Sequence, residues 1–346
     1  MLIGGVCYYM KLQNSFKSEF RNKKILITGG TGSIGIGLIK QLLPYKPKII
    51  KVFTNDENSI FESIRKFGKN PVIYYAMGDV RDKERLDFVI RGIDIVFHAA
   101  AMKHVDICEE NPFDAVKTNV IGTSNIIESC ISGKVSKFIL ISTDKATLPS
   151  TTLGASKLLA ERLTINANSY DNFDKTIFAI VRFGNVIGSR GSVYQIFLDQ
   201  IRKNQPLTVT DPRMTRFIMS IQDAAGLILK ATNIAKGGEI FILKMPSVKI
   251  KDLAENMYQV CKSTDKITTK KIKVSKSRHH ERFHEYLVTP EEIPFCHNLE
   301  DMYKISTEKS KKKSSQKEFS SETAIKMSKT KLKNVIRELR EEYLPF

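Results

Sequence analysis

Three glycines, Gly29, Gly32 and Gly35, recur at every third position directly after a short apolar run, which is the spacing of a phosphate-binding turn. Such a turn lets the backbone approach a pyrophosphate, while the N–H groups and the positive end of the next helix face the phosphates. A glycine turn can also serve only to reverse the chain, but here a strand-like run precedes it and a helix-like segment follows it. The pattern predicts a dinucleotide-binding loop with contacts from Gly29, Thr31, Gly32, Ser33, Ile34 and Gly35.

An acidic residue, Asp56, follows the next strand-like run and lies 21 residues beyond Gly35. An acid at this place accepts hydrogen bonds from the adenosine ribose and favours NAD, whereas an arginine favours the 2′-phosphate of NADP. Arg65 or Lys66 is near enough in the sequence to reach such a phosphate, so the sequence leaves NAD and NADP both open. Further cofactor contacts are expected where successive strands end, at Asn55, Asp56, Asp79, Val80, Ala99 and Ala100.

A second group of reactive side chains, Thr143, Asp144 and Lys145, ends the fifth strand-like run, and Lys157 follows twelve residues after Lys145. The carboxyl ends of parallel strands are where open α/β sheets bind their ligands. These residues are therefore candidates for the place where a ligand meets reactive groups, with a plain surface pairing of Asp144 and Lys145 as the alternative.

Short apolar runs alternate with longer amphipathic segments over the first half of the chain. Continuous apolar strands separated by helices predict an α/β fold with a doubly wound parallel sheet that is covered on both faces. The strand-like runs are 24–28, 49–53, 72–76, 93–99, 137–142 and 177–183, and the helix-like segments are 34–43, 58–67, 83–91 and 123–132.

The alternation loosens after residue 186, which predicts a smaller substrate-binding portion. A helix at 221–232 and a strand at 239–243 indicate that the chain crosses back to the first domain. The expected organisation starts with an N-terminal extension (1–20) and a Rossmann domain (21–185) with return elements (about 211–245). A substrate-binding portion in two pieces (186–210 and 246–305) and a Lys/Ser-rich linker with a C-terminal helix (306–346, with the helix at 322–343) complete it.

The composition excludes several classes of protein. The chain has 55 Lys and Arg against 37 Asp and Glu, and such a positive charge attracts polyanions. The excess lies late in the chain, which predicts a solvent-exposed lysine-rich surface rather than a nucleic-acid-binding site. Five cysteines without a Cys-x-x-Cys pair indicate a reducing, cytoplasmic setting. No run approaches the roughly 18 apolar residues of a membrane span. Residues 1–10 are apolar but lack the basic start and the small-residue cleavage site of a signal peptide.

Six blocks of sequence together resemble the extended short-chain dehydrogenase/reductase family over about residues 23–285. Within it the chain is most similar to the polysaccharide-biosynthesis group of inverting UDP-N-acetylglucosamine 4,6-dehydratases and their close epimerase relatives. The blocks are the glycine loop, His98–Val105, Ser142–Ala146, Gly154–Lys157, Arg182–Val186 and Met214–Phe217.

The resemblance implies a homo-oligomer that acts on a UDP-sugar in polysaccharide synthesis. A bound NADP or NAD takes the C4 hydride, the 4-ketone acidifies the C5 hydrogen, a base removes it, and water leaves from C6. Hydride then returns to C6 and a proton returns to C5 on the opposite face, which gives a 4-keto-6-deoxy sugar. The cofactor is regenerated in each cycle and should bind tightly. A UDP-sugar epimerase that returns the hydride to C4, or a non-catalytic NAD(P)-binding protein, are the alternatives.

The resemblance also implies roles for individual residues. Lys145 is the candidate base at C5, Asp144 the acid that assists water loss, and Thr143 the hydroxyl nearest C4. Leu153 stands where the wider family has a proton-transferring tyrosine, so the acid–base work must lie elsewhere. Further cofactor contacts implied are Lys103, Ser142, Lys157 and Val186. The substrate contacts implied are Lys103, Asn185, Arg190, Gly191, Ser192, Val193, Arg216, Arg278 and Glu285.

The segment after Arg278 departs from the family pattern, because histidines 279 and 280 stand where the family has proline and glycine. The same segment contains His280-Glu281-x-x-His284, the spacing of a zinc protease helix. Charged flanks, Arg282 inside the motif and the lack of a third ligand argue against zinc, and no metal is expected.

Overall fold

The structure is a computed structural model that describes residues 16–170, 176–262, 272–275, 281–310 and 319–343. Its helices are α1 (Lys17–Phe20), α2 (Ser33–Leu42), α3 (Glu57–Phe67), α4 (Lys83–Val89), α5 (Val105–Glu110), α6 (Pro112–Val116), α7 (Gly122–Ser132), α8 (Thr152–Ala167), α9 (Val193–Arg202), α10 (Ile221–Ile234), α11 (Ile250–Lys262) and α12 (Lys329–Tyr343). Its strands are β1 (Lys24–Thr28), β2 (Ile49–Thr54), β3 (Ile73–Met77), β4 (Ile95–His98), β5 (Lys137–Thr143), β6 (Ile177–Phe183), β7 (Asn185–Val186), β8 (Leu207–Val209), β9 (Thr215–Met219), β10 (Ile240–Leu243), β11 (Ser247–Lys249), β12 (Ile272–Val274), β13 (Tyr286–Val288), β14 (Cys296–Asn298), β15 (Met302–Ile305) and β16 (Phe319–Ser320).

In the described part of the chain, the main sheet has nine strands in the order β14-β15-β10-β6-β5-β4-β1-β2-β3. The seven strands from β3 to β10 are parallel, and β15 and β14 add antiparallel pairs at one edge. The strand order runs outward in both directions from β1 and β4. Ligands of such sheets bind at the carboxyl ends of the strands beside this reversal of order. The predicted doubly wound parallel sheet is confirmed.

The strands form where the sequence has continuous runs of Ile, Val, Leu and Phe. β1 and β4 are almost entirely buried, because helices cover both faces of a parallel sheet. The main core includes Ile27, Val96, Phe97, Phe138 and Phe178, none of which is more than 1% exposed.

A second, smaller core lies beside the sheet and is built around α9, α11 and α12. Tyr194, Phe197, Met257, Leu332 and Ile336 are fully or almost fully buried there. Short sheets of β11-β9-β7 and β12-β8 border this core. Strand β7 and the N-terminus of α9 connect it to the edge of the main sheet where β6 ends.

The C-terminal part differs from the sequence-based prediction in three places. Helix α12 begins at Lys329 rather than near 322, and Ile325, which falls within the predicted helix, is 85% exposed. Phe319 and Ser320 were expected in the linker but form β16, because Phe319 packs on Phe217 with a ring separation of 5.2 Å. Strands β14 and β15 lie in the predicted substrate-binding portion, yet they pair with the main sheet.

Candidate active site

The loop between β1 and α2 forms a cradle that fits a pyrophosphate. Gly29 has φ +62°, and a Cβ atom there would lie 2.8 Å from backbone atoms of Ala100, so glycine is required where β1 and β4 end side by side. Gly32 precedes the first turn of α2, and no side chain caps that turn. The N–H groups of this turn are therefore available to an anion, as the predicted dinucleotide-binding loop requires.

The predicted cofactor residues after β2 and β3 make hydrogen bonds with one another and with the start of α3. The Asp56 carboxylate accepts a hydrogen bond from the Ser59 backbone N–H at 3.2 Å, which caps the start of α3. Asn55 donates to Asp79 at 3.0 Å. The Arg81 guanidinium pairs with Asp79 and holds the pKa of that carboxyl below its usual range. The Asp-x-x-Ser spacing is a capping signal that the ribose prediction for Asp56 left aside.

A cavity of about 430 Å³ lies between α2 and α3 beside the glycine loop. Lys66 lines it, whereas Arg65, the other residue proposed for a 2′-phosphate, does not. Hydroxyl groups of Thr31, Ser33 and Ser59 also line it, and Ser59 donates to Thr31 at 2.7 Å. Both basic side chains and hydroxyl groups line this cavity, so the choice between NAD and NADP stays open.

Strand β5 and helix α8 hold two further predicted cofactor residues in the interior. The Lys157 ammonium donates to the Ile141 carbonyl at 2.7 Å, and burial lowers the pKa of Lys157 to about 8. Ser142 is 3% exposed, and its hydroxyl donates to Glu161 at 2.6 Å. Both side chains are therefore held in the interior by these hydrogen bonds, and the Ser142 hydroxyl donates to Glu161 rather than toward the cleft. Val80 and Val186 are also buried.

Asp144 and Lys145 form an ion pair at the carboxyl end of β5. Asp144 is fully buried, and its Oδ1 atom accepts from the Thr143 hydroxyl at 2.9 Å and from Lys145 Nζ at 3.0 Å. Its Oδ2 atom is buried and has no hydrogen-bond partner among the described residues. A buried carboxylate oxygen without a partner costs free energy unless a ligand donates to it. The three predicted catalytic residues therefore lie together, with one oxygen left for a ligand.

The electrostatics of this pair keep Lys145 charged. Burial lowers the pKa of the Lys145 amine, but the carboxylates of Asp144 and Glu285 outweigh burial and raise it above its ordinary value. Burial raises the pKa of Glu285, which is 6% exposed. Lys145 therefore needs a nearby proton acceptor before it can act as a base.

Arg216 is bound mainly to the chain segment that carries Glu285. Its guanidinium donates to the backbone carbonyls of Arg282 at 2.9 Å and Phe283 at 3.2 Å, and its Nε lies 3.7 Å from a Glu285 oxygen. Arg216 thus positions residues 281–285, and the substrate contact expected of it stays a prediction.

The segment after β6 places the other predicted substrate residues. Asn185 Oδ1 and Ser192 Oγ are buried and have no hydrogen-bond partner within the described residues. Both residues line a cavity of about 20 Å³, together with Val193 and Arg216. Gly191 lies against His104, and its N–H donates to Gln195 at 2.6 Å.

Arg190 lies apart from this group, on the glycine loop. Its Nη2 donates to the Thr31 carbonyl at 2.9 Å, and its N–H donates to the Ser33 hydroxyl at 3.1 Å. Lys103 Nζ donates to the Arg190 carbonyl. The structure thus brings Arg190 and Lys103 to the dinucleotide loop.

Leu153 occupies an apolar cluster where the wider family has its tyrosine. It is 4% exposed and packs with Cys108 and Ala115, against which Met102 and Val105 also pack. No polar atom of this cluster's side chains stands in for a phenol, so the acid–base groups found nearby are those at the end of β5.

Asn119 is a site residue that the sequence-based prediction missed. It lies in a π-helical turn, Lys117–Ile121, and it accepts from the Met102 N–H at 2.9 Å and donates to the Met102 carbonyl at 3.1 Å. This pairing fixes the segment that carries Lys103. The insertion of a π turn has no signature in hydrophobic periodicity, although such turns are frequent at functional sites.

The buried Arg182 is the second feature that was missed. It is 1% exposed and pairs with Glu161 at 2.7 Å and with Glu292 at 2.9 Å. The Glu161 carboxylate also accepts from Ser142, so this network supports the residue that precedes Thr143.

The prediction for Arg278 lies outside the described residues, as does His280 of the His-Glu-x-x-His segment. His284 Nδ1 lies 2.8 Å from the Thr215 hydroxyl and its Nε2 lies 3.6 Å from Glu322. The described residues contain no group of three or more His, Cys, Asp or Glu side chains arranged to hold a metal.

Comparison with known proteins relates the chain to enzymes of nucleotide-sugar metabolism. It is 48% identical over 327 residues to an uncharacterised membrane protein of Methanocaldococcus jannaschii, covering 92% of this chain and 97% of that protein. It is 42% identical to the inverting UDP-N-acetylglucosamine 4,6-dehydratase of Campylobacter jejuni, covering 83% of this chain and 84% of the enzyme. It is 40% identical to the UDP-glucose 4-epimerase of Rickettsia bellii, covering 83% of each.

One solved structure resembles the whole described fold. The X-ray structure of Pen from Bacillus thuringiensis matches with a TM-score of 0.86 at 42% identity, covering 92% of this chain and 99% of Pen. Although one relative is described as a membrane protein, no helix in the described part of this chain is long and apolar enough to cross a bilayer.

The family model described as a polysaccharide biosynthesis protein matches residues 25–307, which include the glycine loop, the Asp144–Lys145 pair and Glu285. The resemblance inferred from the sequence blocks is therefore confirmed, and this chain belongs to the polysaccharide biosynthesis protein family.

Proposed function

We propose that this chain is a nucleotide-sugar 4,6-dehydratase that acts on UDP-N-acetylglucosamine and inverts C5, with NAD or NADP as its cofactor. The observation that carries the proposal is the Asp144 carboxylate, which holds Lys145 with one oxygen and leaves the other without a partner among the described residues. Loss of water from C6 needs an acid beside the leaving hydroxyl and a base beside C5. Two adjacent groups that share a single proton can supply both.

A bound nicotinamide would supply the oxidation that makes C5 acidic, by taking up the C4 hydride and giving it back at C6 while C5 takes up a proton. The glycine loop and Lys157 are the residues that would hold it. Lys157 is fixed to the Ile141 carbonyl, so its position does not depend on a substrate.

The proton of the Asp144–Lys145 pair determines which form of the site is reactive. With the proton on Lys145 the pair is ionic, which the raised pKa of Lys145 favours, whereas proton transfer over the 3.0 Å to Asp144 gives a neutral acid and a neutral amine. Desolvation disfavours charged groups, so a sugar that excludes water from the site favours the neutral form. Lys145 can then accept the C5 proton while Asp144 donates its proton to the C6 hydroxyl, which leaves as water. The pair returns to its ionic form in that step.

The direct test is to incubate the purified protein with UDP-N-acetylglucosamine in D₂O and to measure the mass of the product. A dehydratase gives a product that is lighter by one water and carries deuterium at C5. The epimerase alternative gives a product without loss of water. Nicotinamide binding without turnover of any UDP-sugar would identify a non-catalytic protein and contradict the proposal.

A matched variant strengthens this test. Lys145→Ala removes the amine but leaves the glycine loop intact, so we expect the variant to retain bound cofactor and to lose turnover. Substantial remaining activity would exclude Lys145 as the base.

A further inference from the structure

Arg190 is placed to bind the cofactor rather than the sugar nucleotide. It belongs to the segment that leads into the second core, but its guanidinium reaches back to the loop between β1 and α2 and donates to the Thr31 carbonyl at 2.9 Å. Its backbone N–H donates to the Ser33 hydroxyl at 3.1 Å, so both its main chain and its side chain are fixed to that loop.

The position of Gly32 shows where the guanidinium lies relative to a bound dinucleotide. In loops of this kind the second glycine lacks a side chain so that the pyrophosphate can approach the backbone. A Cβ atom on Gly32 would lie 4.0 Å from Arg190 Nη2. The guanidinium therefore borders the space that the missing side chain leaves open.

The charges around Arg190 also favour an anion. Lys103 Nζ donates to the Arg190 carbonyl, and partial desolvation together with the Arg190 charge lowers the pKa of Lys103. Among the described residues, no ion pair joins a carboxylate to the Arg190 guanidinium or the Lys103 amine. Two neighbouring cations without an acid are stabilised when a phosphate group joins them.

Two glycines with positive φ shape the 188–192 loop around Arg190. Gly188 and Gly191 flank the arginine closely, with φ of +72° and +69°. A Cβ atom would lie 2.5 Å from Leu339 of α12 at Gly188 and 2.3 Å from His104 at Gly191. The loop is thus packed tightly on both sides, which fixes Arg190 over the glycine loop.

We propose that Arg190 binds the pyrophosphate of the dinucleotide, so that the 188–192 loop retains the cofactor between turnovers. The inference rests on the nicotinamide cofactor of the proposed function and assigns Arg190 to the cofactor instead of to the sugar diphosphate. It explains how a residue from the substrate side of the chain serves a reaction in which the cofactor must not leave.

The test compares ligands that share the pyrophosphate with one that belongs to the substrate. Protein freed of bound cofactor is titrated by calorimetry with NADH, ADP-ribose and UDP, using the wild type, Arg190→Ala and Arg190→Gln. Loss of a charge-assisted hydrogen bond raises Kd about tenfold or more. We expect such a rise for NADH and ADP-ribose in both variants and a change of less than about twofold for UDP.

The matched control is Arg337→Ala, which removes an exposed arginine of α12 whose guanidinium donates to Asn334. We expect its three Kd values to equal those of the wild type. A rise for UDP with unchanged NADH affinity would place Arg190 in the substrate site and overturn the proposal. So would unchanged affinities throughout, or an equal loss for all three ligands. Because no sugar is turned over, the result is independent of whether UDP-N-acetylglucosamine is the substrate.

Discussion

The Lys145 ammonium donates a hydrogen bond to Asp144 Oδ1 at 3.0 Å, and the Asp144 side chain is fully buried. The raised pKa of Lys145 favours the ionic form of the pair. The proposed dehydration instead requires the proton on Asp144 and a neutral amine on Lys145. The geometry therefore predicts that removing either partner stops the reaction without disturbing the cofactor loop.

The first prediction concerns Asp144→Asn, which keeps the shape of the side chain but removes the acid. We expect kcat to fall by about a hundredfold to ten-thousandfold, as is typical when an acid–base group is lost. The negative charge of Asp144 raises the pKa of Lys145, so its removal lowers that pKa. The limb of the pH–rate profile that reports deprotonation of Lys145 should therefore move to lower pH.

The control for this variant is Asp87→Asn, which removes the acid from another Asp–Lys pair, formed with Lys83 on α4. Its kcat and its pH–rate profile should match the wild type. Wild-type kcat in Asp144→Asn, with the limb in its original place, would contradict the role of the pair.

The second prediction concerns Gly29→Ala and separates backbone strain from close packing. Gly29 and Gly68 have similar φ values, +62° and +64°, but a Cβ atom would meet neighbours within 4 Å only at Gly29, where it would lie 2.8 Å from Ala100. A side chain at a glycine-only conformation costs about 1–3 kcal/mol. Overpacking at Gly29 adds about 1–3 kcal/mol and separates the ends of β1 and β4.

Urea denaturation and NADH titration of Gly29→Ala and Gly68→Ala give the measurement. Both variants should be less stable than the wild type, but only Gly29→Ala should lose affinity for NADH. Equal NADH affinities in the two variants would show that the contact of Gly29 with Ala100 does not shape the cofactor cleft.

Much of this cleft could be predicted from sequence because its signals are local. The glycine loop, the strand before it and the position of Asp144 and Lys145 at the end of β5 all follow from short apolar runs and their neighbours. Asp56 shows the limit, because one short motif is compatible both with a ribose contact and with a helix cap.

Other parts depend on contacts between distant residues and carry no local pattern. Arg182 contacts Glu161 and Glu292, which are 21 and 110 residues away, and the antiparallel strand β15 joins the main sheet by pairing Ile305 with Ile240 of β10, 65 residues earlier. Helix α12 begins seven residues later than its apolar spacing suggested, because the backbone of residues 325–327 hydrogen-bonds with Ser247 of β11. Tertiary packing decides these features, so propensity alone cannot give them.

The third prediction concerns Leu153→Tyr, which restores the tyrosine of the wider family. Leu153 is 4% exposed in a cluster with Cys108 and Ala115, so a phenol there is too large and its hydroxyl lacks an apparent polar side-chain partner in that cluster. We expect a loss of about 1–3 kcal/mol in the free energy of unfolding and no gain in kcat. Leu153→Met, which conserves volume, should cost less than about 1.5 kcal/mol and keep wild-type turnover. A tyrosine variant that is faster than the wild type would mean that the pair at the end of β5 lacks a partner it needs.

The fourth prediction concerns the dependence of stability on pH through His98, which lies beneath Ala99 and Ala100. Its ring is 1% exposed between the hydroxyls of Thr28 and Thr123, and burial, with a smaller effect of Lys157, lowers the pKa of His98 to about 3. The unfolded chain binds a proton at this histidine below about pH 6.5, whereas the folded chain does not until about pH 3. The contribution of His98 to stability is therefore fully present above pH 6.5 and is lost as the pH falls toward 3, by up to about 1.4 kcal/mol per pH unit.

His98→Gln removes the titrating ring, so its free energy of unfolding should fall less steeply between pH 6.5 and pH 4.5 than that of the wild type. Urea denaturation at closely spaced pH values measures both slopes, and the comparison of slopes is independent of any constant loss of stability in the variant. Parallel slopes for the two proteins would mean that His98 takes up its proton in the folded state at an ordinary pH. In that case the ring could not be the neutral, fully buried support for the β4 end of the cofactor cleft that the structure shows.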